Sequence, residues 1–201
     1  MSATAFAACV LLLLGCADSN RLIAAPAARG CDHAGVNLVR NGSFEIPAIP
    51  SLPYLRDLAG DSIGAWAVVE GPVDLISGPF WQAADEAQSV DLDGSCGAGA
   101  IAQRVPTTAG HAYRLCFALS GNPDGPPVVK WMSILWGGAL VDSVSFDVTW
   151  SARAHMGWVT FQYVLDATAD TTALEFRSTS PGCYGPVIDD VWLEEEAPPT
   201  I

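Results

Sequence analysis

The sequence predicts an all-β protein, a two-sheet sandwich of jelly-roll type. The 201 residues include 19 glycines and 14 prolines, which divide the apolar runs into strand-length pieces. Residues 88–94 alternate apolar and polar side chains, as a half-buried strand does. The chain shows neither a convincing long helical pattern nor a repeat period, which argues against solenoids and propellers. About ten short strands with irregular loops therefore favour a sandwich.

We expect the first strand to begin at Asn37 and to continue through the Asn41-Gly42 turn signal to Ile46. Three prolines then follow within residues 47–53 and prevent regular pairing. This proline-rich segment is predicted to be a surface loop that displays Tyr54.

The later strands are predicted from short β-branched and aromatic runs between turn residues. In residues 113–119, alternate large side chains share one face, and that face should lie in the core. Trp66 and Trp158 lie in strand-like runs and are also expected to be buried. The predicted strands after the first are 66–69, 73–76, 88–94, 100–105, 113–119, 128–135, 144–148, 158–165, 173–178 and 185–193.

The last predicted strand contains two adjacent carboxylates, Asp189 and Asp190. A strand in a sheet turns at least one of two neighbours toward the protein body, and a buried carboxylate needs a partner. Glu45 could lie beside Asp189 if the first and last strands pair. Calcium binds carboxylate and carbonyl oxygens, so it is one candidate partner. The alternative is that both aspartates lie in water at a strand end.

The formal net charge is −13, from 9 basic and 22 acidic residues. Nucleic-acid binding needs a basic surface, so we exclude it as a function. The same charge disfavours a strongly anionic polymer as a ligand. Neutral glycans, cations and basic partners remain open.

Residues 1–15 have no charged side chain, and their apolar core is too short to span a bilayer, so they are predicted to be a secretory signal. The sequence Leu13-Leu14-Gly15-Cys16 resembles the lipobox of bacterial lipoproteins, which predicts lipidation of Cys16 and attachment to a membrane. A secreted, unlipidated product is the alternative. The expected order is signal 1–15, flexible tether 16–36, sandwich 37–194 and disordered tail 195–201.

Four cysteines remain in the expected mature domain, an even number in an oxidising compartment, which predicts two disulfides. Three pairings are possible, and the spacing does not choose between them. The four cysteines are Cys31, Cys96, Cys116 and Cys183.

Several phrases in order resemble bacterial "choice-of-anchor C" domains and their plant cell-wall relatives. The resemblance covers about residues 37–193. The phrases are Asn37-Leu38-Val39, Asn41-Gly42-Ser43-Phe44-Glu45, Val73-Asp74-Leu75-Ile76, Trp81-Gln82-Ala83-Ala84-Asp85, Gln88-Ser89-Val90-Asp91-Leu92, Ala100-Ile101-Ala102-Gln103, Tyr113-Arg114-Leu115-Cys116-Phe117, Gly121-Asn122-Pro123 and Tyr184-Gly185-Pro186-Val187-Ile188-Asp189.

The resemblance implies a galactose-binding-like jelly roll that associates with extracellular or cell-wall polysaccharide. Many modules of that architecture hold a structural Ca²⁺ between their first and last strands. Carried onto this chain, the resemblance implies Glu45 and Asp189 as carboxylate ligands, with the Ser43 carbonyl as a further candidate.

Binding is favoured over catalysis. His33, His111 and His155 have no partner at a useful spacing, and no nucleophile elbow, zinc motif or phosphate loop is present. Acidic residues in 85–93 could include a pair for glycoside hydrolysis, but a solvated acidic rim is the favoured interpretation.

Glycan binding needs an exposed aromatic face beside fixed polar groups, because sugars present C–H patches and hydroxyls together. The expected platform residues are Trp81, Tyr54 and Tyr184, with Gln88 and Asp91 as hydroxyl partners. The leading hypothesis is a monomeric, non-catalytic, envelope-tethered module that binds a neutral polysaccharide. The alternative is a structural or protein-interaction domain of the envelope, in which these aromatic residues belong to the core.

Overall fold

The computed structural model describes residue 31 and residues 33–196, and their regular secondary structure is entirely β-strand. All neighbouring strands are antiparallel, and they form two six-stranded sheets in the orders β1-β4-β5-β12-β7-β10 (the first sheet) and β2-β3-β6-β11-β8-β9 (the second sheet). The predicted jelly-roll sandwich is confirmed. The strands are β1 Tyr54–Asp57, β2 Ser62–Ile63, β3 Trp66–Glu70, β4 Val73–Ser77, β5 Gln88–Asp91, β6 Ala100–Pro106, β7 Ala112–Gly121, β8 Val129–Trp136, β9 Ala139–Asp147, β10 Val159–Asp166, β11 Thr171–Ser178 and β12 Pro186–Glu195.

The core lies between the two sheets and follows the alternation of the strands. The predicted inward face of β7 is confirmed, because Tyr113, Leu115, Phe117 and Leu119 are all fully buried. Trp66 on β3 is also fully buried and contacts core aromatic rings. Each such side chain stabilises the fold by about 2 kcal/mol through the apolar surface it removes from water.

The segment 37–46 is a series of turns, and the predicted first strand is therefore wrong. The segment nevertheless lies along β12, so the two ends of the domain are neighbours, as the sequence predicted. Leu38 N donates to Leu193 O at 2.7 Å, and Val191 N donates to Gly42 O at 3.0 Å. A Cβ atom at Gly42 would lie 2.0 Å from Val191 O, so only glycine permits this close approach.

Two other strand boundaries differ from the prediction. Tyr54 begins β1 and pairs with Ile76 of β4, whereas the sequence predicted a loop. The later strand predicted at 144–148 is longer and begins at Ala139, because the sequence signal at Gly137-Gly138 marks a hairpin turn with positive φ at both glycines.

The end of the predicted flexible tether is attached to the sandwich. Cys31 forms a disulfide with Cys116 of β7. The His33 ring stacks on Trp192 with a 4.3 Å centroid separation, and Gly35 N donates to Glu194 Oε2 at 2.8 Å. The expectation of a free tether through residue 36 is therefore wrong for its described end. Cys16 and the predicted signal peptide lie outside the described residues.

The predicted tail boundary also moves, because β12 extends through Glu195. Arg114 of β7 forms ion pairs with Glu194 and Glu196 at 3.4 and 2.5 Å.

The second disulfide joins Cys96 to Cys183, which resolves the pairing that the spacing left open. Within the described chain, no helix is long and apolar enough to cross a membrane.

Candidate functional site

The buried carboxylate that the sequence singled out has protein partners. Asp189 lies on the outer face of the first sheet, because its neighbour Ile188 points into the core. Its Oδ2 atom accepts hydrogen bonds from the backbone amides of Ala84 and Asp85 at 2.8 and 2.9 Å. Its Oδ1 atom accepts one from Asp190 N at 2.7 Å. Asp189 therefore binds the segment that connects β4 to β5.

Glu45 binds the other end of the same segment. Its Oε1 atom accepts hydrogen bonds from Ala87 N at 2.9 Å and Gln88 N at 2.7 Å. We call residues 78–87, between β4 and β5, the platform loop. The side chains of Asp189 and Glu45, from opposite ends of the chain, hold three backbone amides of this loop and the amide of Gln88 at the start of β5. These contacts fix the loop conformation without regular pairing.

Trp81 anchors the platform loop to the sheet below. Its side chain is only 2% exposed, and Nε1 donates to Ser89 Oγ at 2.8 Å. It packs with Ile76, Val187 and Met156 in a second, smaller apolar cluster outside the main core. The prediction that Trp81 presents its ring to a ligand is therefore wrong, because its buried N–H and ring serve to attach the loop.

The neighbouring residue Phe80 forms the aromatic part of the surface. Its ring meets the Tyr54 ring edge-on at 6.2 Å, and Tyr54 is 42% exposed, as the sequence predicted for a platform residue. The Arg153 guanidinium lies over the Phe80 ring at 4.0 Å, a cation–π distance. Arg153 also donates to both carboxylate oxygens of Asp124, at 3.0 Å from Nε and 2.8 Å from Nη2. We call Tyr54, Phe80, Arg153 and Asp124 the platform.

The connection between β9 and β10, residues 148–158, supports the platform loop from the side. Gln82 of the platform loop makes three hydrogen bonds to this connection. Its backbone N–H donates to Arg153 O at 2.8 Å. Its Oε1 atom accepts from Met156 N, and its backbone carbonyl accepts from Trp158 Nε1. Trp158 packs against the small apolar cluster, so its predicted burial is only partial. Trp150 of the same connection is 88% exposed.

Gln88 has a structural role, which corrects its assignment as a hydroxyl partner. The side chain is buried, and Oε1 accepts from Ile49 N at 2.6 Å. Its Nε2 donates to Phe44 O and Pro47 O at 2.6 and 3.0 Å. Gln88 therefore fixes the turn that places Glu45 under the platform loop.

Asp91 is likewise buried and is not available as a surface hydroxyl partner. It accepts hydrogen bonds from Asp93 N, Gly185 N and Asn122 Nδ2, and so joins three loops at one end of the sandwich. Tyr184 is half-buried against the same loops, with the Lys130 ammonium 5.8 Å from its ring centroid. In the described part of the chain, the Phe80 ring packs against the Tyr54 and Trp81 rings, and the Tyr184 ring is not stacked on them. The structure therefore does not bring Tyr184 together with the other predicted platform residues.

Lys130 and Asp93 complete this buried polar cluster. Lys130 is the single lysine of the chain, is fully buried, and donates from Nζ to Gly125 O at 2.7 Å. Burial lowers its pKa, while Asp91 and Asp93 act in the opposite direction. The cluster stabilises the loops that follow β5, β7 and β11.

Calcium stays a prediction. The donor chemistry of Glu45, Asp189 and the Ser43 carbonyl suits a hard cation. However, both Asp189 oxygens and Oε1 of Glu45 already accept backbone N–H groups. In the described part of the chain, no group of three or more His, Cys, Asp or Glu side chains is arranged to hold a metal ion. The amide contacts supply the partner that the buried carboxylates need.

Six carboxyl groups have pKa values above the ordinary 3.8, mainly because of burial. The pKa is about 8 for Asp189, about 7 for Asp91 and about 6 for Asp93 and Asp57, and burial also raises the pKa values of Asp74 and Asp190. For Asp57, the nearby Asp61 and Asp74 add to the rise. A carboxyl with a higher pKa in the folded chain binds more protons when folded than when unfolded. Stability should therefore be greatest near pH 4 and fall as the pH rises toward 8.

We expect the melting temperature to be lower at pH 8 than at pH 5 by about 5 °C, a shift typical of 1 to 2 kcal/mol in a domain of this size. Thermal unfolding followed by circular dichroism checks this, with Asp91→Asn as the variant that should reduce the dependence, because one of the contributing carboxyl groups is then removed. Stability that rises from pH 5 to pH 8 would contradict the account and would indicate that these carboxyls gain cationic partners when folded.

Sequence reasoning missed Phe80, Arg153 and Asp124. The platform arises because three connections, after β4, β7 and β9, meet over the outer face of the first sheet. A local signal existed only for Phe80, which neighbours Trp81 and follows the turn Ser77-Gly78-Pro79.

Comparison with known proteins gives one curated relative and several solved structures. Halomucin from Haloquadratum walsbyi (strain DSM 16790 / HBSQ001) is 32% identical over 170 residues, which cover 81% of this chain and 2% of Halomucin. This chain therefore spans a small fraction of that relative's length.

Two solved structures are similar to this chain at low identity. TmCBM61 in complex with beta-1,4-galactotriose is 21% identical, with a TM-score of 0.48 over 81% of this chain and 100% of that one. A family 35 carbohydrate binding module from Clostridium thermocellum is 18% identical, with a TM-score of 0.48 over 71% and 98%. The family described as "Protein of unknown function (DUF642)" matches residues 37–194, and the chain belongs to this family.

Proposed function

We propose that this protein is a non-catalytic, extracytoplasmic carbohydrate-binding module that binds a neutral polysaccharide through the platform. The observation that supports this most is that the exposed Tyr54 ring and the half-buried Phe80 ring lie beside fixed polar groups. Tyr54 and Phe80 supply apolar ring area, and Arg153 and Asp124 hold each other beside it. A sugar needs both, since its C–H patches and hydroxyl groups lie close together.

The platform is prepared before any ligand arrives. Asp189 and Glu45 fix the backbone of the platform loop, and Trp81 fixes its underside. A surface that is already ordered loses little conformational entropy on binding, and this favours affinity.

The charge of the platform supports an uncharged ligand. The Arg153 guanidinium is engaged by Asp124, and the whole chain has a net charge of −13. An anionic polymer would meet net repulsion, whereas hydroxyl groups can share hydrogen bonds with an ion pair.

The nearest carboxylates support binding over catalysis. Asp189 and Glu45 use their oxygens to accept backbone amides, and Asp124 accepts two hydrogen bonds from Arg153. Proton transfer would break contacts that hold the platform loop.

The cellular setting is proposed from the cysteines. Two disulfides are typical of an oxidising compartment, which places the module outside the cytoplasm. We propose that lipidation of Cys16 attaches the module to the cell envelope, and that it is related to the choice-of-anchor C group. Changing Cys16 to serine should release the protein from the membrane fraction, and retention there would reject the anchor.

A glycan array of neutral and acidic polysaccharides, probed with the purified domain with and without calcium, tests the function. We expect retention of neutral polymers and little retention of anionic ones. If Glu45, Asp189 and the Ser43 carbonyl bind a structural Ca²⁺, EDTA will lower the melting temperature. An unchanged melting temperature rejects the metal but leaves glycan binding intact.

A second candidate is a structural or protein-interaction domain of the envelope. The apolar side chains of Ile46, Leu52 and Leu58 are exposed on the segment around β1, which is the observation that favours it. An array with no retained polysaccharide, together with concentration-dependent association of the domain, would support this candidate.

A further inference from the structure

The outer face of the second sheet presents one large aromatic side chain. On β8, Met132 and Ile134 point into the core, so Trp131 points the opposite way and is 46% exposed. Outward residues continue along the strand from Val129 to Leu135, a row about 20 Å long at roughly 3.3 Å per residue. This row is long enough to follow an extended polymer. We call it the β8 row.

Hydroxyl side chains surround Trp131. Its direct neighbour across the β8–β9 ladder is the exposed Ser145, and Ser133 pairs with Ser143 on the next outward rung. The Ser133 and Ser143 hydroxyls lie 3.2 Å apart. On the other side, Thr179 donates its backbone N–H to Trp131 O at 3.0 Å and has an exposed side chain. These small side chains leave the indole ring accessible above the sheet.

The charged side chain next to Ser133 on this face is already paired. Arg177 of β11 lies next to Ser133 in the ladder. Its guanidinium donates to Glu175 at 2.7 Å from Nη2 and also pairs with Glu70 of β3. An arginine held between two carboxylates does not attract an anionic ligand, so the face suits an uncharged, hydroxyl-rich one.

The β8 row and the platform lie on opposite sides of the sandwich. Tyr54 and Ile76 face outward from the first sheet, under the platform loop, while Trp131 faces outward from the second. The two sheets with their shared core separate them. One extended chain on the platform cannot also lie along the β8 row.

We propose that the β8 row is a second site for neutral polysaccharide, centred on Trp131, and that the module cross-links two polymer chains. This inference rests on the proposed function of the platform. The occupant is a polysaccharide because the single aromatic ring is flanked by hydroxyls and a closed ion-pair network. A stable protein interface buries about 800 Å² per partner around an apolar centre, whereas here serines lie beside the only tryptophan of the row.

The test uses four purified forms of the domain: wild type, Trp131→Ala, Tyr54→Ala with Phe80→Ala, and all three changes together. Trp131→Phe, which keeps an aromatic face, is the matched control. The probes are soluble β-1,4-galactan, xyloglucan, glucomannan and dextran. Affinity electrophoresis measures binding, dynamic light scattering of the polymer measures cross-linking, and analytical ultracentrifugation measures the oligomeric state.

We expect wild type and Trp131→Phe to increase the hydrodynamic radius of at least one polymer severalfold. Trp131→Ala should still bind that polymer about tenfold more weakly, and the platform double variant about 100-fold more weakly. Neither should increase its radius. The triple variant should not bind. Wild-type binding with full cross-linking by Trp131→Ala would overturn this inference and leave the platform proposal standing.

Two other results would also overturn it. A wild-type dimer that Trp131→Ala converts to a monomer would assign the β8 row to a second copy of the chain. The absence of wild-type binding to all four polymers would overturn the proposed function together with this inference. Unchanged melting temperatures across the variants exclude unfolding as the cause. This control matters most for Phe80, which is half-buried, whereas Trp131 and Tyr54 are exposed.

Discussion

Replacing Asp189 with alanine should lower the free energy of unfolding by about 4 kcal/mol. The change removes the acceptors of three backbone N–H groups, those of Ala84, Asp85 and Asp190, on the buried outer face of the first sheet. A hydrogen bond between uncharged groups contributes about 0.5 to 1.5 kcal/mol, and each buried donor left without an acceptor costs about 1 to 3 kcal/mol. Urea unfolding followed by tryptophan fluorescence measures the change. For a domain of this size, the melting temperature should fall by about 10 °C.

Asp189→Asn and Asp190→Asn are the matched controls. Asparagine at 189 keeps one acceptor oxygen, so its destabilisation should be intermediate. Asp190 is half-buried and lies 3.6 Å from His33, so its replacement should cost about 1 kcal/mol or less. An Asp189→Ala variant as stable as wild type would show that the platform loop does not depend on this carboxylate.

Replacing Tyr54 and Phe80 together with alanine should weaken polysaccharide binding by about 100-fold. The two rings form the apolar part of the platform, and loss of central aromatic residues costs about 2 kcal/mol or more each at well-packed interfaces. Residual binding should come from the β8 row. Isothermal titration with the polymer that the array identifies measures the loss.

Arg153→Lys separates the polar contribution from the aromatic one. Lysine keeps the charge but cannot donate to both Asp124 oxygens or stack its planar group on Phe80. We expect about a tenfold loss of affinity with little change in stability. Val164→Ala, an exposed apolar change on β10, is the control and should have no effect. Equal affinities for wild type and the double aromatic variant would remove the platform from the proposed function.

The fold class could be predicted because the alternation of apolar and polar residues and the turn residues are visible in short stretches of sequence. The inward face of β7 followed from alternation alone, and so did the burial of Trp66. The buried carboxylate of Asp189 followed from the pleat, since one of two adjacent aspartates must face the protein. Its partners did not follow, because the amides of Ala84 and Asp85 lie more than 100 residues away in the chain.

The candidate site was less accessible to sequence reasoning for a related physical reason. Trp81 and Phe80 are adjacent aromatic residues in a loop, and local sequence does not tell which ring faces the sheet. The contact of Trp81 Nε1 with Ser89 decides this, and it exists only after β4 and β5 pair. Arg153 reaches Phe80 from a different connection, so no spacing along the chain indicates the cation–π contact.

The turn at 37–46 shows a third kind of difference. Its apolar residues suggested a strand, but positive φ angles at Asn41 and Phe44 turn the chain so that Phe44 enters the core. Tertiary packing and the Gln88 hydrogen bonds to Phe44 O and Pro47 O therefore determine the backbone here.

The most direct test of the platform is a nuclear magnetic resonance titration of the isotope-labelled domain with an oligosaccharide of the polymer that the array identifies. The account predicts chemical-shift changes at Tyr54, in the platform loop, and at the side chains of Arg153 and Asp124, with a second group around Trp131. Saturable binding whose shift changes leave Tyr54, Phe80 and Arg153 unaffected would contradict it.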